Sequence, residues 1–454
     1  MTDYRVPLDE LPDPLPIEPL PRPFDITIRP PGSKSITNRA YILAALARGE
    51  SRITRPLRSE DTDGLLDALC TLGAEAAWVP NDEDPGAEDV LIKGVAGRFP
   101  RGGSLNLGDG GTPTRFMIAA ACLAAEPVIV DGSTRMRERP VAEGVDMLRQ
   151  LGATIEYIED EGRLPVRIVP SENFKGGDLT IGETASSQFI SAVMLIAPFT
   201  ARGVDFHIAG HATSVTYIVL STVALSQCGL NTTLHRDVNQ ELSSLRIDPQ
   251  LVSAFQFQVE ADASSAAYWF AAPATITGSR VTIESLLLDS VQPDMGVPAV
   301  LTGQAGFHDE AGTDHYSVWS EEPLRAFNAD GAAFPDGTLA LAAIAALADA
   351  TSTITGLQTL RVKETDRLAA LANELCKVGC AVETTDDSIT ITPPRQAATT
   401  RPPIVIETYN DHRMAMSFAI LGLARPGISI ANPGCVAKSY PTFWQDFARL
   451  YEST

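Results

Sequence analysis

The amino-acid sequence predicts an α/β protein built from two similar domains. One pattern recurs along the chain: an apolar helix face, then a glycine, then an alternating strand. The glycines of this pattern lie roughly 75 residues apart, which is typical of an internal repeat. They are Gly73, Gly152, Gly229, Gly306 and Gly379. At 454 residues the chain is also too long for one ordinary hydrophobic core.

Each glycine is expected to end a helix, because glycine readily adopts the left-handed backbone conformation. The stretch before the first glycine, 65–72, is apolar on one helical face, and the stretch after it, 74–79, alternates as a strand does. Several units also begin with a strand-like segment such as 279–283. A further helix, 443–450, ends the chain about where a sixth glycine would fall. We therefore predict six units of one type, three in each domain.

Composition and charge exclude several functional classes. Hydrophobic residues make up 44% and charged residues 20% of the chain, which is normal for a soluble globular protein. A formal net charge of −22 argues against nucleic acid or an anionic membrane surface as a partner. The longest apolar runs, such as 116–125, are too short to span a bilayer.

Cysteine and histidine usage indicates a reduced cytoplasm and no zinc site. The six cysteines form no CxxC pair, and the six histidines show no metal-ligand spacing near them. The N-terminus is acidic and rich in proline, without the basic and apolar regions of a signal peptide. We expect it to form an extended arm.

The positive charge of this acidic chain is gathered in short motifs rich in Gly, Ser and Thr. The segment 31–39 carries Lys34 and Arg39 but no acid, and a helix is expected to follow it over 38–47. Cations beside hydroxyl and backbone N–H groups at a helix start suit phosphate and carboxylate groups. Simple capping by Ser35 or Thr37 is the alternative, but capping does not require the two cations.

Five further motifs have both a functional and a structural interpretation; they cover residues 108–115, 135–140, 186–189, 361–367 and 408–416. For the first four motifs, the structural alternatives are, in order, a plain turn, a solvated charge run, local capping and a surface salt-bridge lattice. Arg139 is expected at a helix start, facing a site. His412 is more often structural than catalytic, while Met414 and Met416 are expected in the core. A cleft between the two domains is the expected place for the cations.

Taken together, the motifs resemble those of the 5-enolpyruvylshikimate-3-phosphate synthase family. Six motifs follow the family's order: PGSKSITNRA, RMRERPV, SSQFISAVML, DASSAAYW, RVKETDRL and YNDHRMAM. The resemblance runs from about residue 25 to the C-terminus. It implies an inside-out α/β barrel fold with two domains, each of three βαβαββ units, and an active site in the interdomain cleft. It also implies one domain from 1–31 plus 260–454 and a middle domain from 32–259.

The resemblance further implies the reaction of phosphoenolpyruvate with shikimate 3-phosphate, which gives an enolpyruvyl ether and phosphate. It implies two small-molecule substrates, no metal or organic cofactor, a monomer, a cytoplasmic location, and glyphosate as the family's inhibitor. The phosphoenolpyruvate positions are Lys34, Gly111, Arg139, Arg367, Arg413 and Lys438. The shikimate 3-phosphate positions are Ser35, Arg39, Ser186, Ser187, Gln188, Ser214, Tyr217, Asp336 and Lys363. Asp336 is the expected general base, with Glu364 or Lys34 as proton donor.

The chain departs from the family's pattern in a few places. Asp109 stands where the family usually has Asn, and Gly110 stands where the family commonly has Ala. Thr359 stands where the family often has another Asn. The stretch 303–333 matches poorly and is expected to be a variant surface segment, and the N-terminal arm has no counterpart. Two alternatives remain: a UDP-N-acetylglucosamine enolpyruvyltransferase, and an inactive anion-binding homologue, which Asp109 would favour.

Overall fold

The computed structural model describes residues 2–84, 86–182, 184, 186–209, 215–238, 241–287, 289–394 and 403–452. The chain splits into two compact units. The middle unit is Gly32–Val259, and the terminal unit combines Met1–Pro31 with Glu260–Thr454. Helices and small mixed sheets alternate in both units, so the predicted α/β class is confirmed.

The N-terminal segment carries two strands, β1 (Leu15–Pro16) and β2 (Asp25–Ile28). The strands of the middle unit are β3 (Arg48–Thr54), β4 (Glu75–Pro80), β5 (Glu88–Val95), β6 (Gly103–Asn106), β7 (Val128–Asp131), β8 (Thr154–Tyr157), β9 (Val166–Val169), β10 (Gly177–Ile181), β11 (Val204–Ile208), β12 (Thr233–Arg236), β13 (Leu242–Ile247) and β14 (Gln256–Gln258). Its helices are α1 (Lys34–Leu46), α2 (Glu60–Thr71), α3 (Gly111–Ala121), α4 (Thr134–Glu138), α5 (Ala142–Gln150), α6 (Ser187–Ile196) and α7 (Val215–Gln227).

The remaining strands of the terminal unit are β15 (Arg280–Glu284), β16 (Phe307–Ala311), β17 (His315–Ser320), β18 (Asn328–Asp330), β19 (Ser352–Thr355), β20 (Ala381–Thr384), β21 (Ile389–Thr392), β22 (Ile404–Ile406) and β23 (Ile428–Ile430). Its helices are α8 (Ala263–Ala271), α9 (Gly296–Gln304), α10 (Thr338–Ala345), α11 (Arg367–Lys377), α12 (His412–Gly422) and α13 (Phe443–Ala448). Three 3₁₀ segments near the site are Pro293–Met295, Gln358–Val362 and Pro433–Lys438.

The sheets repeat one pairing pattern. Five of them have the strand orders β14-β3-β5-β4, β6-β7-β9-β8, β10-β11-β13-β12, β2-β15-β17-β16 and β18-β19-β21-β20. In each, the first two strands pair in parallel and the other pairs are antiparallel. The last sheet has the order β22-β23-β1, in which the N-terminal arm supplies the antiparallel third strand. The arm therefore completes the last unit of the repeat.

The repeat glycines end helices as predicted. Their φ angles are +120° at Gly73, +95° at Gly152, +77° at Gly229, +83° at Gly306 and +91° at Gly379. After four of them, the next N–H donates to the carbonyl five residues earlier, as Ala74 N does to Leu69 O at 3.1 Å. This bond closes the last helical turn in the Schellman arrangement.

One set of helices lies inside each unit, with the sheets around it. Every residue of α12 is buried, and α1, α3, α6, α8 and α10 are buried along nearly their whole length. Met414 and Met416 are in the core, as predicted. A Cβ on Gly422 of α12 would lie 2.6 Å from Ile17 Cγ2, so the N-terminal arm packs directly on this inner helix.

Two local expectations are wrong. Helix α1 begins at Lys34 and not at residue 38, so Ser35 and Thr37 lie within its first turn and Ser33 is the N-cap residue. Arg139 does not open a helix, since it has an extended backbone at the end of α4, and α5 begins at Ala142. The stretch 303–333 contains β16, β17 and β18, and most of its residues are exposed or half-buried, which agrees with the expected surface position.

Among the described residues, no helix combines the length and the apolar character needed to cross a membrane.

Candidate active site

In the terminal unit, Asp336 lies among three cations. It directly precedes α10, whereas Arg367 and Arg413 lie in the first turns of α11 and α12. Asp336 Oδ1 is 2.7 Å from Arg367 Nη1 and 3.4 Å from Lys363 Nζ. Asp336 Oδ2 accepts a hydrogen bond from Arg413 Nη2 at 3.0 Å. One partly buried carboxylate therefore joins three positively charged groups from three different segments.

Arg367 extends this cluster to two further acids. Its Nε and Nη2 donate to the two carboxylate oxygens of Asp411, at 2.7 and 3.2 Å. Nη2 also donates to Glu364 Oε2 at 2.7 Å, and Glu364 Oε1 is 3.5 Å from Lys438 Nζ. The structure thus brings six predicted site residues into one ion-pair network: Asp336, Lys363, Glu364, Arg367, Arg413 and Lys438.

The network controls the charge of Asp336. Burial raises the pKa of this carboxyl, but the positive charges of Arg413, Lys363 and Arg367 outweigh it and hold the pKa well below its usual range. Burial likewise lowers the pKa of Arg413, but the negative charge of Asp336 more than compensates and the pKa is raised. Asp336 and Arg413 are therefore both charged at neutral pH.

In the middle unit, Lys34 is the first residue of α1. Its Nζ donates to Asp61 Oδ2 at 3.1 Å, in the first turn of α2. A Cβ on Gly110 would lie 3.3 Å from Asp61 Oδ1, so the start of α3 is close by as well. Lys34 therefore lies where three helices begin, held by an acid that the sequence did not single out.

Arg39 is buried inside the middle unit. Its guanidinium donates to Ser221 Oγ, Ser35 O, Ser191 Oγ and Tyr217 O, at 2.9, 2.8, 3.1 and 3.3 Å. Burial lowers the pKa of Arg39 to about 10. These bonds tie the first turns of α1 and α7 together, and with them the predicted site residues Ser35 and Tyr217.

Gln188 links the starts of α3 and α6. Its Nε2 donates to Thr112 Oγ1 at 3.0 Å, and its Oε1 accepts from Arg115 Nη1. Ser186 is the N-cap residue of α6, which is the structural alternative given for this motif, and its Oγ accepts from Gln188 N at 3.3 Å. Ser187 is the first residue of that helix, whereas Ser214 lies outside the described residues.

The guanidinium of Arg139 lies directly against Gly111. A Cβ on Gly111 would be 2.6 Å from Arg139 Nη1, so only glycine leaves room for the cation. Within the described parts of the chain, the buried Nε of Arg139 has no hydrogen-bond partner. A buried cation with an unused donor at the start of α3 is suited to an anionic ligand.

Helix N-termini converge in both units. The bonds above join the starts of α1, α2, α3, α6 and α7 in the middle unit, and of α10, α11 and α12 in the terminal unit. The free N–H groups and the positive end of each helix dipole add to the charge of the Lys and Arg side chains. The arrangement can hold several phosphate or carboxylate groups.

The unexpected acid Asp109 has a local structural partner. Its carboxylate accepts a hydrogen bond from Ser133 Oγ. The same hydroxyl caps α4 by accepting from Met136 N at 3.1 Å. Because α4 ends at Arg139, the Asp109–Ser133 pair supports the segment that carries this cation. Thr359 lies in the segment Gln358–Val362, with a buried hydroxyl that has no hydrogen-bond partner among the described residues.

Sequence reasoning missed several residues of the two clusters. Asp411 stood inside a quoted motif, and its place before an apolar helix was a capping signal. Asp61 likewise opens a helix, in the run Ser59-Glu60-Asp61. Tyr268, whose hydroxyl accepts from Arg413 Nη1 at 3.1 Å, lies in an apolar helix where sequence indicates only core.

One group of described residues could hold a metal ion. Ligand atoms of Asp178, Asp205 and His207, on β10 and β11, lie within 4.8 Å of one another. Arg246 Nη1 is 3.8 Å from Asp205 Oδ2 and competes for that carboxylate. The group includes no predicted site residue.

Comparison with known proteins identifies the family. Residues 21–447 match the profile of EPSP synthase (3-phosphoshikimate 1-carboxyvinyltransferase), and the chain belongs to this family. The 3-phosphoshikimate 1-carboxyvinyltransferase of a Sulfurovum species is 39% identical, over 91% of this chain and 94% of that protein. The enzyme of the same name from Cronobacter sakazakii is 37% identical, over 97% of this chain and 99% of that protein.

Solved structures show the same fold. The EPSP synthase of Acinetobacter baumannii superposes with a TM-score of 0.76 at 25% identity, covering 96% of this chain and 97% of that one. The enolpyruvyl transferase NikO of Streptomyces tendae gives a TM-score of 0.73 at 17% identity, covering 96% of each chain, which is a likeness of fold alone.

Proposed function

We propose that this chain is a 3-phosphoshikimate 1-carboxyvinyltransferase. It transfers the enolpyruvyl group of phosphoenolpyruvate to the 5-hydroxyl of shikimate 3-phosphate and releases phosphate, on the shikimate pathway to chorismate and the aromatic amino acids. Membership of the family supports this reaction. The observation that carries it is a partly buried carboxylate, Asp336, surrounded by Lys363, Arg367 and Arg413.

Asp336 serves as the general base. The 5-hydroxyl must lose a proton as its oxygen attacks C2 of phosphoenolpyruvate, and an ionised carboxylate can accept that proton. Three cations make Asp336 a weak base in the free enzyme. Anionic substrates that engage Arg367 and Arg413 draw these cations away from the carboxylate and so raise its proton affinity.

Glu364 or Lys34 donates the proton to the methylene carbon of phosphoenolpyruvate. Glu364 bridges Arg367 and Lys438, and Lys34 is paired with Asp61. Attack and protonation give a tetrahedral intermediate with a methyl group. The group that donated the proton then takes one back from this methyl group as the C2–O bond to phosphate breaks, which restores the C=C bond, and the negative charge of the intermediate is stabilised by the surrounding Lys and Arg side chains.

The cations are divided between two anionic substrates. For phosphoenolpyruvate, the proposed contacts are Lys34, Gly111 and Arg139 of the middle unit, and Arg367, Arg413 and Lys438 of the terminal unit. For shikimate 3-phosphate they are Ser35, Arg39, Ser186, Ser187, Gln188, Ser214, Tyr217, Asp336 and Lys363. When an anion displaces an acid partner, the cation is already in position, so little ordering is needed on binding.

We further propose that the enzyme acts as a monomer in the cytoplasm. Its six cysteines are all free thiols, which suits a reducing compartment. Size-exclusion chromatography with light scattering tests the monomer, and a mass near twice that of the chain would contradict it.

A phosphate-release assay separates this function from its alternatives. We expect phosphate from phosphoenolpyruvate with shikimate 3-phosphate, and none with UDP-N-acetylglucosamine as the acceptor. Release with the UDP-sugar alone would assign the chain to the other enolpyruvyl transfer. Binding of shikimate 3-phosphate without turnover would support the inactive anion-binding homologue.

A further inference from the structure

Asp294 lies outside every role assigned above, yet it is bonded to the loop of the proposed base. It is buried in the segment Pro293–Met295. Its Oδ1 accepts from the backbone N–H of Gly337, the residue after Asp336, at 2.7 Å. Its Oδ2 accepts from the hydroxyl of Ser264 in the first turn of α8. One carboxylate therefore joins the loop before α10 to the start of α8.

The same segment packs closely on both sides of Asp336. A Cβ on Gly296 would lie 2.3 Å from Cδ1 of Phe334, two residues before the base. A Cβ on Gly337, the residue after the base, would lie 2.6 Å from Val297 Cγ2. Backbone and side chains therefore meet without free space, and the loop can shift only if residues 294–297 shift with it.

We propose that Asp294 is a positioning residue for Asp336: it fixes the loop through Gly337, so that the Asp336 carboxylate keeps the orientation needed to accept a proton from the substrate hydroxyl. The inference rests on the function proposed above, in which Asp336 is the general base. Cations hold the Asp336 carboxylate, and Asp294 holds the backbone N–H of the next residue, Gly337.

Charge adds a second effect on the base. Burial raises the pKa of Asp294 to about 7, the negative charges of Asp336 and Asp262 raise it as well, and Arg413 and the Ser264 hydroxyl lower it. These groups face Asp294 from the loop, from the start of α8 and from α12. As the pH rises through about 7, Asp294 loses its proton, and the new negative charge increases the proton affinity of Asp336.

Asp294→Ala tests the positioning role. The variant removes both acceptors and leaves the Gly337 N–H unpaired, so the loop loses its anchor. We expect kcat to fall by about tenfold to a hundredfold, because a small misplacement of a catalytic group slows the reaction by this order. KM for both substrates should change by less than about threefold, since no proposed binding residue is altered. An unchanged kcat, or a loss confined to KM, would overturn the proposal.

Asp294→Asn separates positioning from charge. The amide oxygen can still accept from Gly337, and the amide nitrogen can donate to the Ser264 hydroxyl. We expect kcat close to that of the wild type at about pH 6, where Asp294 is protonated, and a flatter pH profile between about pH 6 and 8. Should Asp294→Ala fail to fold, Ser264→Ala decides: it removes the other hydrogen bond of the Asp294 carboxylate, and an unchanged kcat contradicts the inference.

Asp446→Asn is the matched control. Asp446 is another largely buried acid of the terminal unit, accepts from Tyr440 Oη at 2.9 Å, and has a pKa raised by burial. The control should keep the wild-type kcat and pH profile. Wild-type protein that never turns over shikimate 3-phosphate would refute the proposed function, whereas an active wild type with unaffected Asp294 variants would refute the positioning role alone.

Discussion

At the scale of single residues, the free protein keeps its cations paired with its own acids. Asp336, Glu364 and Asp411 hold Arg367, and Asp61 holds Lys34. Such pairing keeps each long side chain in one place, so an incoming anion exchanges partners with a cation that is already oriented. The acids are therefore part of the anion site.

Asp336→Ala should lower kcat by about 10²- to 10⁴-fold, the usual contribution of a general base. Binding of phosphoenolpyruvate should weaken far less, because the variant frees Arg367 and Arg413 instead of removing them. Steady-state kinetics and equilibrium titration of the same preparation measure the two effects. Near-normal turnover would remove Asp336 from the role of base.

Asp109→Asn should leave kcat within about twofold of the wild type, because the amide oxygen can accept the hydrogen bond from Ser133 as the carboxylate does. Asp109→Ala loses that bond and should lower the free energy of unfolding by about 1 kcal/mol. Kinetics and urea denaturation of both variants check this. A large gain of activity in Asp109→Asn would show instead that the carboxylate repels the substrates.

At the scale of elements, most of the polar and cationic sequence motifs coincide with the starts of buried helices. Segment 31–39 leads into α1, 108–115 into α3, 186–189 into α6 and 408–416 into α12. Sequence predicted these helices because glycine, serine and aspartate before an apolar run are start signals. It could not predict which starts lie together, since that depends on long-range contacts such as Gln188 with Thr112.

The repeat glycines offer a matched pair of tests. At Gly229, with φ of +77°, an added Cβ would meet nothing within 4 Å. Gly229→Ala should therefore lower the free energy of unfolding by about 1–2 kcal/mol, because only the left-handed backbone conformation disfavours alanine there. At Gly152 the Cβ would also lie 2.1 Å from Asn173 O, so Gly152→Ala should cost more. Chemical denaturation measures the free energy of unfolding of both variants. An equal decrease in the two would contradict this prediction.

The N-terminal arm should stabilise the terminal unit. Tyr4 contacts the rings of Trp444, Phe447 and Tyr451, with centroids 6.2, 5.2 and 5.4 Å away. Tyr4→Ala should therefore lower the free energy of unfolding by about 3 kcal/mol, as the truncation of other buried aromatic residues does. Thermal unfolding measures the loss, with Asp9→Ala, at an exposed position of the arm, as the control. Equal stability of the two variants would mean that the arm contributes little.

At the scale of the whole molecule, the sequence predicted the repeat and the α/β class because both follow from local periodicity and glycine chemistry. It did not predict that β1 completes the last sheet, since a strand of two residues carries no periodic signal. Nor did it predict Asp294, because its role depends on the contact with Gly337, a residue 43 positions away along the chain.

The asymmetry of charge also acquires a structural explanation. A chain of net charge −22 binds small anions because its cations sit at converging helix N-termini, where backbone dipoles add to their effect.

The most direct test is to follow purified wild-type protein with ¹³C-labelled phosphoenolpyruvate and shikimate 3-phosphate by NMR. We expect the enolpyruvyl ether at the 5-oxygen and inorganic phosphate to appear in equal amounts, and Asp336→Ala to form both far more slowly. Persistence of both substrates with correctly folded protein, or release of phosphate with free pyruvate and no ether, would contradict the proposed reaction.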